Sequence, residues 1–395
     1  MRVTVLGTGL VGGAIAMDLA TERGWSIRAV DRSQRSLDKL AAYENMELAC
    51  QDVADEVALK PVVSDADLVV SAVPGDLGYQ TMRRLIEAGK NVVDISFFNE
   101  NPFDLDHLAK QRGVTAVVDC GVAPGLSNVI AGHVQKEMDR VDSYLCLVGG
   151  LPLVRSWPYE YKAVFSPLDV MAEFTRPARF VEHGELVVRP ALTDVELIDF
   201  RGVGTLEAFN TDGLRSLAQT LDIPFMKEKT MRYPGHANLA RALRDSGFFD
   251  TDPIDIEGTP VRPIDVTSRL LIEQWRLAEN EEDLTVMQVI MEGEQDGRRQ
   301  RRDFYLLDRF DCATGTTSMA RTTGYTCAIA ARQVLAGMFS RKGVCPPEYL
   351  GATEGCYAHM LAELERRKVC IEEAVTDLAA DKEHAAINRF QRKIA

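Results

Sequence analysis

Residues 1–31, MRVTVLGTGLVGGAIAMDLATERGWSIRAVD, decide how the rest of the chain is read. Arg2 to Leu6 is a short apolar run, and Gly7-Thr8-Gly9-Leu10-Val11-Gly12 supplies the spacing GxGxxG. Helical apolar spacing continues from Gly13 to Thr21, and Ser26 to Val30 predicts a second strand ending on Asp31. Gly7 permits the tight turn, Gly9 lets backbone N–H groups approach a pyrophosphate, and Gly12 lets the helix pack close to the strand. The helix N-terminus, with Leu10 and Val11 in its first turn, faces the negative charge. Asp31 lies nineteen residues after Gly12, where a carboxylate accepts hydrogen bonds from ribose hydroxyls. A lone GxGxxG is a weak signal; set between two strands and followed by that acid, it predicts a dinucleotide site.

The alternation of strand and helix continues. Ser36 to Ala42 predicts a helix and Met46 to Cys50 a third strand, after which Asp52 either touches the adenine edge or is a solvated strand end. Leu68 to Pro74 is a continuous apolar strand of the kind buried on both faces of a parallel sheet. Its carboxyl end, including Ser71, Ala72 and Val73, is expected beside the cofactor. A helix from Thr81 to Ala88 and strands at Asn91 to Ile95 and Thr115 to Val118 complete a pattern of six strands. The fold class is therefore α/β, with an N-terminal Rossmann domain, a doubly wound parallel sheet, over residues 1–121.

After Cys120 the pattern changes to longer strands, at Ser143 to Val148, Glu185 to Val188 and Glu196 to Phe200. Val286 to Met291 and Phe304 to Leu307 flank Asp296-Gly297, a hairpin signal. We read residues 122–321 as a second, α+β domain that binds substrate and dimerises. Helices within 322–370 are expected to pack back on the first domain, and 371–395 reads as a charged, frayed tail. Arg298, Arg299, Arg301 and Arg302 read as solvated charge on an exposed hairpin rather than a phosphate patch.

At 395 residues the chain exceeds one comfortable core, and its 46% hydrophobic and 26% charged content is ordinary for a globular protein. A formal charge of −14 argues against nucleic acid or an anionic membrane as partner. The eight cysteines show no CxxC and no metal spacing, so no metal site is expected and the thiols read as idle in a reducing cytoplasm. No apolar run approaches the ~20 residues of a membrane span. The expectation is a soluble cytoplasmic protein without a leader.

Four groups could do chemistry in the cleft between such domains. Asp94 and Asp119 end the fifth and sixth strands, where a carboxylate either orients a cationic substrate, acts as base, or is a strand-end acid. Pro158-Tyr159-Glu160-Tyr161-Lys162 combines phenols, a carboxylate and an amine. In extended chain, Glu160 and Lys162 share one face and Tyr161 lies on the other; an ion pair beside packed tyrosines is the alternative. Arg232-Tyr233-Pro234-Gly235-His236 is a turn entering a helix. There His236 is either a neutral base or a core imidazole, and Arg232 can grip a carboxylate. Arg321, the one charge in a stretch of small residues, is either an anion anchor or a structural ion pair.

These residues resemble a known family. The glycine fingerprint, Val122-Ala123-Pro124-Gly125, Gly149-Gly150-Leu151-Pro152 and Arg232 to His236 together look like the saccharopine dehydrogenase superfamily. Pro158 to Tyr161, Val164-Phe165-Ser166 and Leu206-Glu207-Ala208-Phe209 are most similar to its lysine 6-dehydrogenases. Saccharopine reductases of the superfamily typically carry aspartate where this chain has Ala123, which favours a smaller amine substrate. The resemblance implies NAD-linked oxidative deamination of the ε-amine of L-lysine, with NADP also possible, giving a semialdehyde that cyclises to piperideine-6-carboxylate. Arg32, after Asp31, can cradle the extra phosphate of NADP, whereas Asp31 repels it. His236 or Lys162 is then the base, Glu160 and Asp94 recognise the ammonium, and Arg232 or Arg321 takes the α-carboxylate. The family is typically a homo-oligomer. Alternatives are a saccharopine- or carboxynorspermidine-type enzyme or, in a different class, a non-catalytic dinucleotide sensor.

Overall fold

A computed structural model describes residues 1–163, 167–278 and 281–378; Val164, Phe165 and Ser166 lie outside the described residues. The first domain runs β1 (Arg2–Leu6), α1 (Leu10–Leu19), β2 (Ser26–Asp31), α2 (Gln34–Asp38), β3 (Met46–Cys50), α3 (Glu56–Val63), β4 (Leu68–Ser71), α4 (Gly75–Glu87), β5 (Asn91–Asp94), α5 (Asp106–Arg112) and β6 (Thr115–Val117). Every residue of β4 is buried, as a strand covered on both faces requires. Asp55 caps α3, a helix the sequence pattern does not single out because Pro61 sits inside it.

The second part begins with α6 (Leu126–Glu137) and β7 (Arg140–Pro152), then α7 (Pro167–Thr175), β8 (Ala178–Glu182), β9 (Glu185–Arg189), β10 (Glu196–Phe200), β11 (Gly204–Asn210), α8 (Leu217–Thr220) and β12 (Phe225–Arg232). It continues through α9 (His236–Asp245), the exposed ribbon β13 (Ile254–Ile256) and β14 (Thr259–Val261), α10 (Pro263–Trp275), β15 (Asp283–Gln295) and β16 (Arg298–Arg309). The turn between the last two holds Asp296 at φ 51° and Gly297 at φ 72°, the left-handed pair that a tight hairpin needs. The chain closes with α11 (Ser318–Leu335), β17 (Gly343–Cys345), α12 (Pro347–Ala352), α13 (Cys356–Arg366) and β18 (Ile371–Asp377).

Two main sheets result. The first is parallel, in the order β17-β6-β5-β4-β1-β2-β3, so a strand from near the end of the chain joins the six expected from the sequence. The second follows β10-β11-β12-β7-β15-β16-β18, with β8 and β9 attached to β12. Its ends curl together: Phe200 and Tyr305 stack with centroids 4.7 Å apart, and Tyr305 Oη donates to Arg201 O. Leu145, Leu147, Leu206, Met231 and Val286 are enclosed by that curl. The opposite face, with Tyr144, Cys146, Met287, Val289 and Phe304, merges with α6, α11 and the first sheet in one apolar core.

Within the stretch 371–395 read as a frayed tail, Ile371–Asp377 is instead β18, because its backbone pairs with β16 at the sheet edge; residues 379–395 lie outside the described residues. Among the described residues no helix is long and apolar enough to cross a membrane. α11 packs on α1, where Arg332 and Arg367 each reach Asp18 at 2.6 Å. Arg302 pairs with Glu137 and Arg301 with Asp303, both at 2.6 Å, so these hairpin arginines have carboxylate partners.

Candidate active site

A cavity of about 550 Å³ lies between the carboxyl ends of the parallel strands and the second sheet. At its dinucleotide end the walls include Gly7, Gly9, Leu10, Val11, Gly12, Asp31, Arg32, Asp52, Ala72 and Val73; Ser71 is fully buried and off the wall. A Cβ on Gly12 would sit 1.9 Å from Gly7 O, so that position must be glycine for α1 to approach β1. A Cβ on Gly9 would meet no protein atom within 4 Å, because Gly9 faces open space that a pyrophosphate fits. No side chain caps α1, and no acid stands in its first turn to repel an anion. Asp31 is held on both oxygens: Oδ2 accepts from Thr8 N at 2.7 Å and Thr8 Oγ1 at 3.2 Å, and Oδ1 from Ser33 N at 2.8 Å. These residues fit a nicotinamide dinucleotide.

The opposite end is built on strand alternation in β12. Glu228, Thr230 and Arg232 reach the cavity, while Lys229 and Met231 face away, Lys229 to Glu196 at 2.6 Å. Arg232 is 2% exposed. Its Nη2 donates to Glu173 at 2.8 Å, its guanidinium lies 4.7 Å from the Tyr161 ring centroid, and its Nε–H has no partner. Asp119, at φ 51° beyond β6, is gripped by Arg215 at 3.1–3.3 Å, and Asp212 by Arg179 at 2.8 and 2.9 Å. α7 turns Asp169 and Glu173, one helical turn apart, toward the same space, while Val170, Met171 and Phe174 enter a separate apolar cluster. Glu228 accepts from Thr211 Oγ1 at 2.8 Å and Gly213 N at 3.1 Å; burial pushes its carboxyl up to about 8.

Of the residues that the sequence offers for chemistry, Asp119 and Arg232 line this cavity and the others do not. His236 is 2% exposed behind the wall, among Tyr161, Phe174 and Trp275. Its Nδ1 meets Tyr159 O at 3.0 Å; burial, then Arg232, lowers its pKa to about 3. It is placed as a core imidazole, away from the cavity wall. The stretch 158–162 is a turn and not extended chain, with Glu160 at φ 49°, so alternation does not align its side chains. Glu160 binds Arg155 at 2.6 Å, and Lys162 Nζ donates to the carbonyls of Gln274 at 3.1 Å and Arg276 at 3.4 Å. Tyr161 is the buried surface under Arg232. Arg321 is a structural ion pair, bonded to Asp308 at 3.2 Å and Asp311 at 3.1 Å. Asp94 is fully buried, accepting from Ser96 N at 3.0 Å and Oγ at 2.8 Å; burial raises it to about 7.

Glu228, Glu173, Asp169 and Thr211-Asp212-Gly213 are the wall residues that pattern reading passes over. One weak signal for β12 exists: read as extended chain, Met226 to Arg232 places Glu228, Thr230 and Arg232 on one face, though its residues show no apolar–polar alternation. The flanking Lys227 and Lys229 make it look like a solvated charged segment. Among the described residues no cluster of His, Cys, Asp or Glu is arranged to hold a metal ion.

Comparison with known proteins agrees with this architecture. A model of the saccharopine dehydrogenase C-terminal domain matches residues 121–369, and one of the saccharopine dehydrogenase NADP binding domain matches 3–117. Saccharopine dehydrogenase (NADP(+), L-glutamate-forming) of Schizosaccharomyces pombe is 25% identical over 79% of this chain and 87% of its own. Carboxynorspermidine synthase of Vibrio cholerae is 23% identical, over 89% and 92% respectively. The structure of apo saccharopine dehydrogenase (L-Glu forming) from Saccharomyces cerevisiae superposes with a TM-score of 0.76 at 21% identity, covering 95% of this chain and 99% of that one.

Proposed function

Because the chain belongs to the saccharopine dehydrogenase family, we propose that it is a nicotinamide-dependent dehydrogenase of a CH–NH2 group, acting on the ε-amine of L-lysine. One observation carries the choice of substrate. Among the described residues, the substrate end of the cavity is lined by the carboxyl groups of Asp119, Asp169, Glu173, Asp212 and Glu228 and by one cation, Arg232. Arg215 and Arg179, which do not line it, pair with Asp119 and Asp212, and burial raises Glu228 to about 8, so the walls are rich in carboxyl groups and nearly balanced in charge. Such walls suit an ammonium group with a single carboxylate. The tricarboxylate saccharopine would bring more negative charge than Arg232 can balance.

The oxidised nicotinamide supplies the hydride acceptor when bound. The chain's own residues bind, orient and exclude water. Arg232, already packed on Tyr161, has an unpaired Nε–H to offer the α-carboxylate. The acidic walls hold the ammonium end near the dinucleotide, and the buried setting strengthens each contact. Asp31 at the cavity wall favours NAD, since a carboxylate there repels a 2′-phosphate. The names of the relatives and of the matching domain model point to NADP, and Arg32 lines the same wall.

A second reading, a carboxynorspermidine-type reaction on a polyamine, draws on the same acidic walls and on the Vibrio relative. One assay separates them: absorbance of reduced nicotinamide with L-lysine alone, with saccharopine, and with carboxynorspermidine, each with NAD or NADP. Turnover of lysine without any 2-oxo acid is expected. No reduction with lysine, but reduction with either of the others, sinks the lysine reading.

A further inference from the structure

We propose that Glu228 is the group that exchanges a proton with the substrate amine, and that the Thr211 and Thr230 hydroxyls carry that proton to and from it. The inference rests on the amine-oxidising reading above and adds the acid–base residue which that reading lacks, since His236 and Lys162 lie off the cavity.

The geometry is specific. Glu228 lines the cavity yet is 5% exposed, two residues from Thr230 and four from Arg232 on the same face of β12. Thr211 Oγ1 lies 2.8 Å from Glu228 Oε2 and 2.8 Å from Thr230 Oγ1, so carboxyl and both hydroxyls form one hydrogen-bonded line. The room for this carboxyl is made by a missing side chain: a Cβ on Gly213 would lie 2.2 Å from Glu228 Cδ. Its titratable neighbours are Glu173 on α7, Asp212 before Gly213, and Tyr144 and Cys146 on β7. Among the described residues no cation touches it. A buried carboxyl in that company keeps its proton until a positive charge arrives, and a substrate ammonium is such a charge.

The step balances simply. An N–H bond of the ammonium breaks and an O–H bond forms on Glu228. No electron is transferred, and the amine gains the lone pair it needs before its carbon can lose hydride. Below the carboxyl's own titration, binding of the cation first drives the resident proton out along Thr211 and Thr230.

The test is Glu228→Gln, with Glu228→Asp as the conservative partner. For Glu228→Gln, kcat/KM for L-lysine at alkaline pH should fall ~100-fold or more, a typical acid–base contribution, and the acid limb of the pH profile should vanish. Glu228→Asp should recover part of the rate, and affinity for the dinucleotide alone, read by fluorescence, should stay at the wild-type value in both. Titration calorimetry of L-lysine at pH 7 in two buffers of different ionisation heat should show proton release by the wild type and none by Glu228→Gln. If Glu228→Gln does not fold, Thr211→Val is read instead and should shift and shallow the acid limb. A wild type that oxidises lysine while Glu228→Gln, or in its place Thr211→Val, keeps both rate and limb overturns the assignment alone. A wild type that oxidises no amine overturns the functional reading and this assignment with it.

Discussion

Arg232 as anchor for the substrate carboxylate can be tested without damaging the fold. Replacing Arg232 alone would strand Glu173, its partner at 2.8 Å, and breaking a buried pair from one side costs roughly 3–5 kcal/mol. The perturbation is therefore the pair, Arg232→Met with Glu173→Gln, which leaves neither charge behind. A hydrogen bond to a charged group is worth ~1.5–3 kcal/mol, which is ~10- to 150-fold in kcat/KM. 1,5-Diaminopentane is lysine without its carboxylate and cannot make this contact. The ratio of kcat/KM for lysine to that for 1,5-diaminopentane should therefore fall by ~10- to 150-fold, with most of the fall in KM for lysine. Steady-state absorbance of reduced nicotinamide, with both amines on one preparation, reads it directly. A ratio within about threefold of wild type, well below the value of one charged hydrogen bond, refutes the anchor. Equal losses on both amines would assign Arg232 to the shape of the wall instead.

Other expectations follow from burial and spacing. Asp94 sits fully buried with its pKa raised to about 7, so the folded state holds a proton between about pH 4 and 7 that the unfolded chain releases, and its contribution to stability falls as pH rises through that range. His236, lowered to about 3 from 6.5, has the opposite sign and loses stability as pH falls below 6.5. The two oppose each other, and Glu228, raised to about 8, slopes the same way as Asp94. Asp94→Asn should therefore make the slope of stability against pH more positive than that of wild type by up to about 1.4 kcal/mol per pH unit between pH 4.5 and 6.5 in urea unfolding, and an unchanged slope contradicts the burial argument. Asp31→Ser should improve kcat/KM with NADP relative to NAD, and a wild type that already prefers NADP would remove the basis for that expectation. Gly12→Ala, which places a methyl 1.9 Å from Gly7 O, should abolish dinucleotide binding in a fluorescence titration; retained affinity would mean that α1 can shift away from β1.

The dinucleotide site was legible in the sequence because its parts are local. Gly7 to Gly12 and Asp31 fall within one strand–helix–strand unit, where spacing alone sets which backbone groups meet. The hairpin at Asp296-Gly297 was legible for the same reason, as a two-residue turn that demands left-handed backbone. The substrate end is assembled from Asp119, α7, residues 211–213 and β12, segments far apart in the chain. No period or motif states that they meet. Side-chain chemistry by itself nominated His236, Lys162 and Glu160 for catalysis and Arg321 as an anion anchor, and packing turned each of them to another partner. Glu228, between two lysines, carried the signature of a solvated charge. Only the pairing of β12 with β7 and the gap at Gly213 turned it inward. Sequence thus determined the nucleotide-binding fold through local backbone geometry. Tertiary structure decided the substrate end, because burial and charge compensation are properties of what surrounds a residue and not of its neighbours in the chain.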